Sequence, residues 1–302
     1  MSTILSPGVD RNAWLKARRA GIGASEIAAV LGISPWESPF SLWWRKVEGW
    51  DFEASPAMEW GNRLEDAIAF KYGNEHPDYE LGDGELEHHP IHEWMLATPD
   101  RYIWDTGRDI LDVSGLLELK TAHSGDGWGE PGTSDVPVHY RAQVLWQMAV
   151  VGVGWADMAV LIGGSDYREY TVLRDEKDIA VMVEAGRRFM ARIEAGDPPP
   201  IDDHHATLST LKRLHPDLDD EVATVDDDVA AGYLRAVRMC RIAERAKDRY
   251  EIALRAQMGR AKRAASTAGH VATRTVSEIA ESTVTRAAHR RDYLTPPRER
   301  KP

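Results

Sequence analysis

Leu116-Leu117-Glu118-Leu119-Lys120-Thr121 is the stretch on which the reading of the chain turns. In an extended strand alternate side chains share a face, so Glu118 and Lys120 point one way while Leu117 and Leu119 point into a core. An earlier apolar run, 93–98, reads as a second strand. Asp100 stands at its end, and residues 101–113 read as a hairpin that returns the chain beside Glu118. Two carboxylates one strand apart can hold a hard divalent ion through oxygen. Such an ion polarises a phosphate and lowers the pKa of a bound water, while a neighbouring lysine orients that water or offsets transition-state charge. Gly115 and the apolar neighbours fit a buried strand. The E-x-K pattern alone is also that of a solvated strand face with a salt bridge.

Working outward, the chain alternates helices and strands. Residues 12–20 read as a short basic helix and Gly21-Ile22-Gly23 as a tight turn. Ser25 then stands where an N-cap belongs, before a helix over 26–31. Ser38 and Pro39 open a helix through Glu48, and 58–72 is a third, with Leu64, Ala67 and Ile68 at helical spacing. An apolar helix over 138–151 is followed by a buried strand at 156–163 and an alternating strand at 167–173. The helical stretch 175–195 stops at Asp197-Pro198-Pro199-Pro200. The fold class expected is α/β (α+β), a mixed central sheet flanked by helices. Residues 1–200 form the core domain and 201–225 an acidic linker. Residues 226–302 form a basic extension, with a long helix or helical hairpin over 227–265, strand-like runs at 269–276 and 282–287, and a basic tail.

Composition constrains partners. All eleven tryptophans lie between Trp14 and Trp155, which marks a Trp-rich core and a different structure after it. The net charge is −12, yet residues 231–302 hold seventeen Lys and Arg against seven Asp and Glu, leaving about −22 on the rest. An acidic body disfavours loose coating of nucleic acid, so any such contact should be local, in a groove or channel. The single cysteine, Cys240, excludes a multi-cysteine zinc site and fits a reducing cytoplasm. There is no apolar run of membrane-spanning length, and the first ten residues lack a signal-peptide pattern.

Further residues gather around the two carboxylates. Gly61-Asn62-Arg63-Leu64-Glu65 puts an acid on a helix ahead of the strands, with Gly61 allowing close approach; a surface acid on an amphipathic helix reads the same way. Gln143 and Gln147 share a face of the apolar helix 138–151, where buried amides need partners, in the core backbone or elsewhere. Arg18 and Ser25 flank the Gly-Ile-Gly turn, a basic side chain and a hydroxyl at a helix start that could cradle a phosphate or merely cap the helix. Trp43, Trp44 and Trp146 read as core. Trp36, in a loop between helices, is the tryptophan expected to contact a nucleic-acid end. His88, His89 and His92, near Glu85 and Glu87, lack the count and geometry of a zinc site. Arg235, Arg238, Arg241, Arg245 and Arg249 recur at helical spacing and could track a phosphate backbone, but Glu244, Asp248 and Glu251 interleave as partners on a solvated face.

Taken in order, the motifs resemble a known family. They are Arg18…Gly21-Ile22-Gly23-Ala24-Ser25-Glu26-Ile27…Leu31-Gly32-Ile33-Ser34-Pro35-Trp36, Met58-Glu59-Trp60-Gly61…Glu65, Ala97-Thr98-Pro99-Asp100, Leu116 to Thr121, and His139-Tyr140-Arg141-Ala142-Gln143…Gln147-Met148. Together they are similar to the YqaJ-like viral recombinases, relatives of lambda exonuclease within the PD-(D/E)xK nuclease superfamily, over about residues 11–200. The resemblance implies a restriction-endonuclease-like core and Mg²⁺, with Mn²⁺ able to substitute. It implies Asp100 and Glu118 as metal ligands, the Leu119 carbonyl as another, Glu65 supporting the metal, Lys120 assisting the attacking water, and Gln143 lining the site. Arg18 and Ser25 would hold a DNA phosphate at a 5′ end. It further implies 5′-to-3′ digestion of one strand of duplex DNA ends, leaving a 3′ single strand for recombination. The implied partners are other subunits of a homo-oligomeric (trimeric) ring and a single-strand annealing protein, with no membrane, in the cytoplasm of a bacterial host if phage-encoded. Two departures stand out: Arg101 replaces the usual glycine after Pro-Asp, and 104–112 lengthens the path from Asp100 to Glu118. The alternatives are an endonuclease of the same superfamily and a non-catalytic DNA-end-binding module.

Overall fold

The computed structural model describes residues 2–5, 18–50, 55–107, 113–217 and 219–276, with residues 2–5 described by backbone only. The chain divides into two compact units, Met1–His215 and Pro216–Pro302. In the first unit the strands are β1 (Ser2–Leu5), β2 (Ile22–Gly23), β3 (Tyr79–Asp83), β4 (Leu86–His88), β5 (Met95–Ala97), β6 (Arg101–Asp105), β7 (Gly115–Ala122), β8 (Trp155–Ile162) and β9 (Asp166–Leu173). Its helices are α1 (Ile27–Val30), α2 (Pro39–Glu48), α3 (Pro56–Glu75), α4 (Val138–Val151), α5 (Glu176–Ala195) and α6 (His205–Leu214). The strands build a mixed five-stranded sheet, β3-β6-β7-β8-β9, and a four-stranded sheet, β1-β4-β5-β2. The expected α/β (α+β) class, with a mixed sheet flanked by helices, is the class observed.

The site depends on β7. It pairs antiparallel with β6 and parallel with β8, so it lies inside the sheet with its backbone groups satisfied on both edges. The β7–α4–β8 segment is a crossover between parallel strands. Both faces of β7 are covered. Leu117 and Leu119 pack with Ile68, Ala69 and Tyr72 of α3, while Leu116 joins the larger core with Trp146, Met148 and Val144 of α4. The alternation read from the sequence holds, but the face that carries Glu118 is core as well, and Glu118 is only 1% exposed. Gly115 opens the strand because a Cβ there would meet the Trp155 ring at 2.5 Å.

Several boundaries move. The run 93–98 is the short strand β5, which belongs to the four-stranded sheet rather than beside Glu118. Part of the extra stretch 104–112 continues β6, where Trp104 covers Gly82 of β3; residues 108–112 lie outside those described. Ala67 is exposed, and Ile68, Ala69 and Tyr72 make the buried stripe of α3 instead. The stretch 201–225, read as a linker, contains α6: Thr207 and Thr210 are buried there, and the Thr207 and Ser38 hydroxyls hydrogen-bond at 2.6 Å. The helix itself carries no acidic residue, and only its flanks are acidic; its buried residues are two threonines.

The second unit holds α7 (Asp227–Met258) and the hairpin β10 (Arg263–Ser266) and β11 (Gly269–Thr273). Asp226 caps α7 through its carboxylate. The helix ends at Met258 rather than 265, because residues 263–266 pair in the hairpin. Most of the expected helix 12–20, the run 282–287 and the basic tail fall outside the described residues. No helix among those described is long and apolar enough to cross a membrane.

Candidate active site

Asp100 sits at the turn into β6, where Arg101 pairs with Leu117, so its carboxylate lies against the middle of β7. Its Oδ2 accepts the Leu119 backbone N–H at 2.7 Å. Glu118 is held from three directions. Lys120 pairs with Oε1, Gln143 donates to the same oxygen, and Gln147 donates to Oε2 at 2.7 Å. The two glutamines read as partners of core backbone or something else therefore serve the carboxylate. Gln147 is fully buried, and its own Oε1 has no partner among the described residues. That arrangement restricts Glu118 to a single rotamer.

The electrostatics follow from burial. Burial first, and the Glu118 charge next, push the Asp100 carboxyl up to about 8, against the pull of Lys120 and the Leu119 N–H. For Lys120, burial would favour the neutral amine, but Glu118 and Asp100 outweigh it and hold the ammonium above its ordinary range. Lys120 is thus a cation at neutral pH, lying 5.2 Å from the centre of the Tyr140 ring. Glu65, half-buried on α3, is raised by burial, with Lys120 lowering and Glu118 raising it, so it lies within electrostatic reach of both. Gly61 does not serve a close approach: a Cβ there would make ordinary 3.5 Å contact with the Thr121 hydroxyl. Arg101, the departure from the family pattern, donates to the Asp100 carbonyl at 2.7 Å and pairs with Asp66 of α3 at 2.6 Å.

Next to this cluster is a small pocket lined by Arg18, Gly23, Ala24, Ser25, Leu86, Leu96, Ala97, Thr98 and Gln143. Arg18 donates to the Ser25 hydroxyl at 2.9 Å. Ser25 is not the N-cap that its position suggested. It lies within a 3₁₀ turn, Ala24–Glu26, and its side chain is exposed; Gly23 occupies the cap position, its N–H bound by the Glu26 carboxylate at 2.8 Å. Gln143 borders both the pocket and Glu118, so one side chain joins the two groups of residues singled out in the sequence.

The sequence did not reveal what holds the pocket wall. Glu26 is buried and pairs with Lys46 at 2.8 Å and Arg45 at 2.9 Å. Lys46 also donates to the Gly21 carbonyl at 2.6 Å, and Arg45 grips Glu37 with two bonds of 2.7 and 2.9 Å. Burial alone would raise Glu26, yet Lys46, Arg45 and Arg18 bring it down to about 2. Gly21 is required at the turn: a Cβ there would fall 2.2 Å from the Trp94 carbonyl oxygen. One available signal was Lys46 beside Trp43 and Trp44 on an amphipathic helix. The histidines do something local. His89 Nδ1 accepts the N–H groups of Ile91 and His92, each at 3.1 Å, closing the turn into β5.

Residues 13–154 match the YqaJ-like viral recombinase domain. This is the family that the ordered motifs resembled. The matched span holds every residue singled out above for the carboxylate cluster and the pocket. The uncharacterized protein YqaJ of Bacillus subtilis (strain 168) is 28% identical over 229 residues, covering 71% of this chain and 66% of that protein. The chain thus spans a little under two thirds of the length of that relative. Among solved structures, the alkaline exonuclease LHK-Exo from Laribacter hongkongensis is 23% identical with a TM-score of 0.49, covering 68% of this chain and 98% of that one. A phage related exonuclease from Haemophilus somnus 129PT is 11% identical with a TM-score of 0.43, covering 64% and 96%.

The matched region offers two carboxylates, oxygen donors of the kind a hard divalent ion takes. Half-buried Asp100 lies beside buried Glu118, and burial first, with the Glu118 charge next, raises the Asp100 carboxyl, an environment that a divalent cation would relieve. Among the described residues no three acidic, histidine or cysteine side chains converge on a common point. The carboxylates that stand together are those of Asp100 and Glu118, with Glu65 within electrostatic reach of Glu118.

Proposed function

We propose that the chain is a Mg²⁺-dependent deoxyribonuclease that digests one strand of linear duplex DNA from its 5′ end, leaving a 3′ single strand for recombination. The observation that carries this reading is the junction at Gln143. It binds the carboxylate of the Asp100–Glu118–Lys120 cluster and also borders the pocket of Arg18 and Ser25. A chemistry-bearing cluster and an anion pocket that share a wall suit an enzyme that cuts a set distance from a held phosphate.

Magnesium, held by Asp100 and Glu118 with the Leu119 carbonyl and Glu65 in support, would supply Lewis-acid polarisation of the scissile phosphate; manganese would serve as well. The remaining work falls to the chain. Lys120, kept cationic by its two carboxylates, offsets charge that develops on the phosphate in the transition state and orients the attacking water. Gln143 and Gln147 hold Glu118 in one rotamer, so no reorganisation accompanies the reaction. Arg18 and Ser25 hold the terminal 5′-phosphate by charge-assisted hydrogen bonds. A homo-oligomeric ring and a single-strand annealing partner belong to the same reading, which rests for them on the family alone.

The test is digestion with purified protein and Mg²⁺ of linear duplexes labelled at either end, with and without a 5′-phosphate, beside a covalently closed circle. The 5′ label should be lost first, faster with the phosphate present, and the circle should survive. Cutting of the circle would make the enzyme an endonuclease. Binding without any Mg²⁺-dependent product would make the chain an end-binding module.

A further inference from the structure

Trp36 is an indole that the chemistry above leaves unused. It is 56% exposed, in the loop between α1 and α2, although burying so large a ring is ordinarily favourable. Its loop is nonetheless firmly held. The Ser34 hydroxyl accepts the N–H groups of Trp36 and Glu37, each at 3.2 Å. Glu37 is clamped by Arg45, which also binds Glu26, and Glu26 binds the Gly23 N–H at the pocket wall. The same ion network thus braces the pocket and the loop.

The ring also points back to the chemistry. Trp36 meets His139 edge-on at 4.8 Å and Tyr140 at 5.9 Å, and the Tyr140 ring lies over Lys120. His139, Tyr140, Gln143 and Gln147 form one face of α4, since residues three and four apart are neighbours. At 1.5 Å per residue, this face spans about 12 Å from the buried carboxylate clamp at Gln147 to the half-buried His139 near the start of the helix. With bases stacked about 3.4 Å apart along a strand, Trp36 stands a few nucleotides at most from a phosphate bound at Lys120.

Resting on the nuclease reading above, we propose that Trp36 is a stacking platform for a nucleobase close to the scissile phosphate, leaning on His139 and Tyr140. A neutral π-face suits this protein. Its net charge of −12 works against general electrostatic attraction to DNA, whereas stacking adds affinity that is indifferent to charge and to base identity.

The experiment uses the full chain, the 5′-phosphorylated linear duplex, and the same duplex with one abasic site stepped inward from each end. Binding is measured without divalent ion and cleavage with Mg²⁺, for wild type, Trp36→Ala and Trp36→Phe. Wild type should lose about tenfold in affinity when the abasic site reaches one particular position. Trp36→Ala should lose about tenfold on the intact duplex and nothing more at that position, because the two changes remove the same contact. Trp36→Phe should keep most of the affinity. Losses that multiply, or an unchanged Trp36→Ala, overturn the proposal. So does an altered assembly size with an unchanged abasic profile, which would make Trp36 a subunit contact. If wild type neither binds nor cuts any duplex, the nuclease reading fails and this inference with it; if wild type cuts and only the Trp36 profile is flat, this inference alone fails.

Discussion

The two units use the same side chains to opposite ends. In the first, charged groups are buried and closed on one another: Glu118 on Lys120, Gln143 and Gln147, and Glu26 on Arg45 and Lys46. In the second, the 32-residue helix α7 buries no residue at all, and its charges stand in water. There Arg255 and Glu251 pair at 2.9 Å one turn apart, both about half exposed. A charge in solvent interacts weakly because water screens it, while a buried one must be matched or it is costly. The difference teaches where buried charge is held: in the first unit, at the candidate site and the wall beside it, and also at Asp157, which the Tyr72 and Thr171 hydroxyls satisfy.

Substitutions in the two units sharpen the contrast. The largest effect belongs to the carboxylate cluster. Asp100→Ala, Glu118→Ala or Lys120→Ala should each lower the cleavage rate by a factor on the order of 10³, the scale for loss of one preorganised electrostatic group. Circular dichroism should report retained folding. Near-normal turnover in all three would remove the site from this part of the molecule.

Glu26→Gln comes second. It leaves Arg45 and Lys46 without their buried partner, a loss of about 3–5 kcal/mol by the scale for broken buried pairs, read by urea unfolding. It also carries a pH signature. The folded carboxyl is brought down to about 2 from an ordinary 4.5, so its contribution is complete above 4.5 and disappears as pH falls toward 2. Wild type should therefore lose stability on acidification through that window more steeply than Glu26→Gln. Parallel curves would show that the ion network does not stabilise the pocket wall.

The smallest effect is expected at Arg255→Ala. An exposed pair one helical turn apart contributes less than about 0.5 kcal/mol, and added salt should erase it. A loss of several kcal/mol would break the comparison, since α7 would then be holding more than its own solvated face.

The parts of the fold legible in the sequence are those governed by local rules. Ser38 caps α2, with its hydroxyl on the Ser41 N–H, as a serine before proline suggested, and Asp175 caps α5 likewise. The strand alternation of 116–121 and the apolar helix 138–151 appear at the expected places, because periodicity follows from backbone geometry. Most of the misreadings share a cause. α6 and the placement of the short β5 depend on partners far along the chain, Ser38 for Thr207 and β2 for the strand, while Ser25 yields the cap position to Gly23.

What the sequence by itself determined is the inventory: an acid and a lysine alternating on one strand with a second acid ahead of it, two glutamines one helical turn apart, and a resemblance to a family whose domain model matches 13–154. Those are properties of residue type and spacing. Only the tertiary structure decided that the two glutamines both bind Glu118, that Gln143 joins the cluster to the Arg18–Ser25 pocket, and that Glu26, Arg45 and Lys46 brace the wall. The physical reason is that a buried polar group takes whatever partner the packing brings within about 3 Å, and that partner is chosen by the fold and not by its distance along the chain.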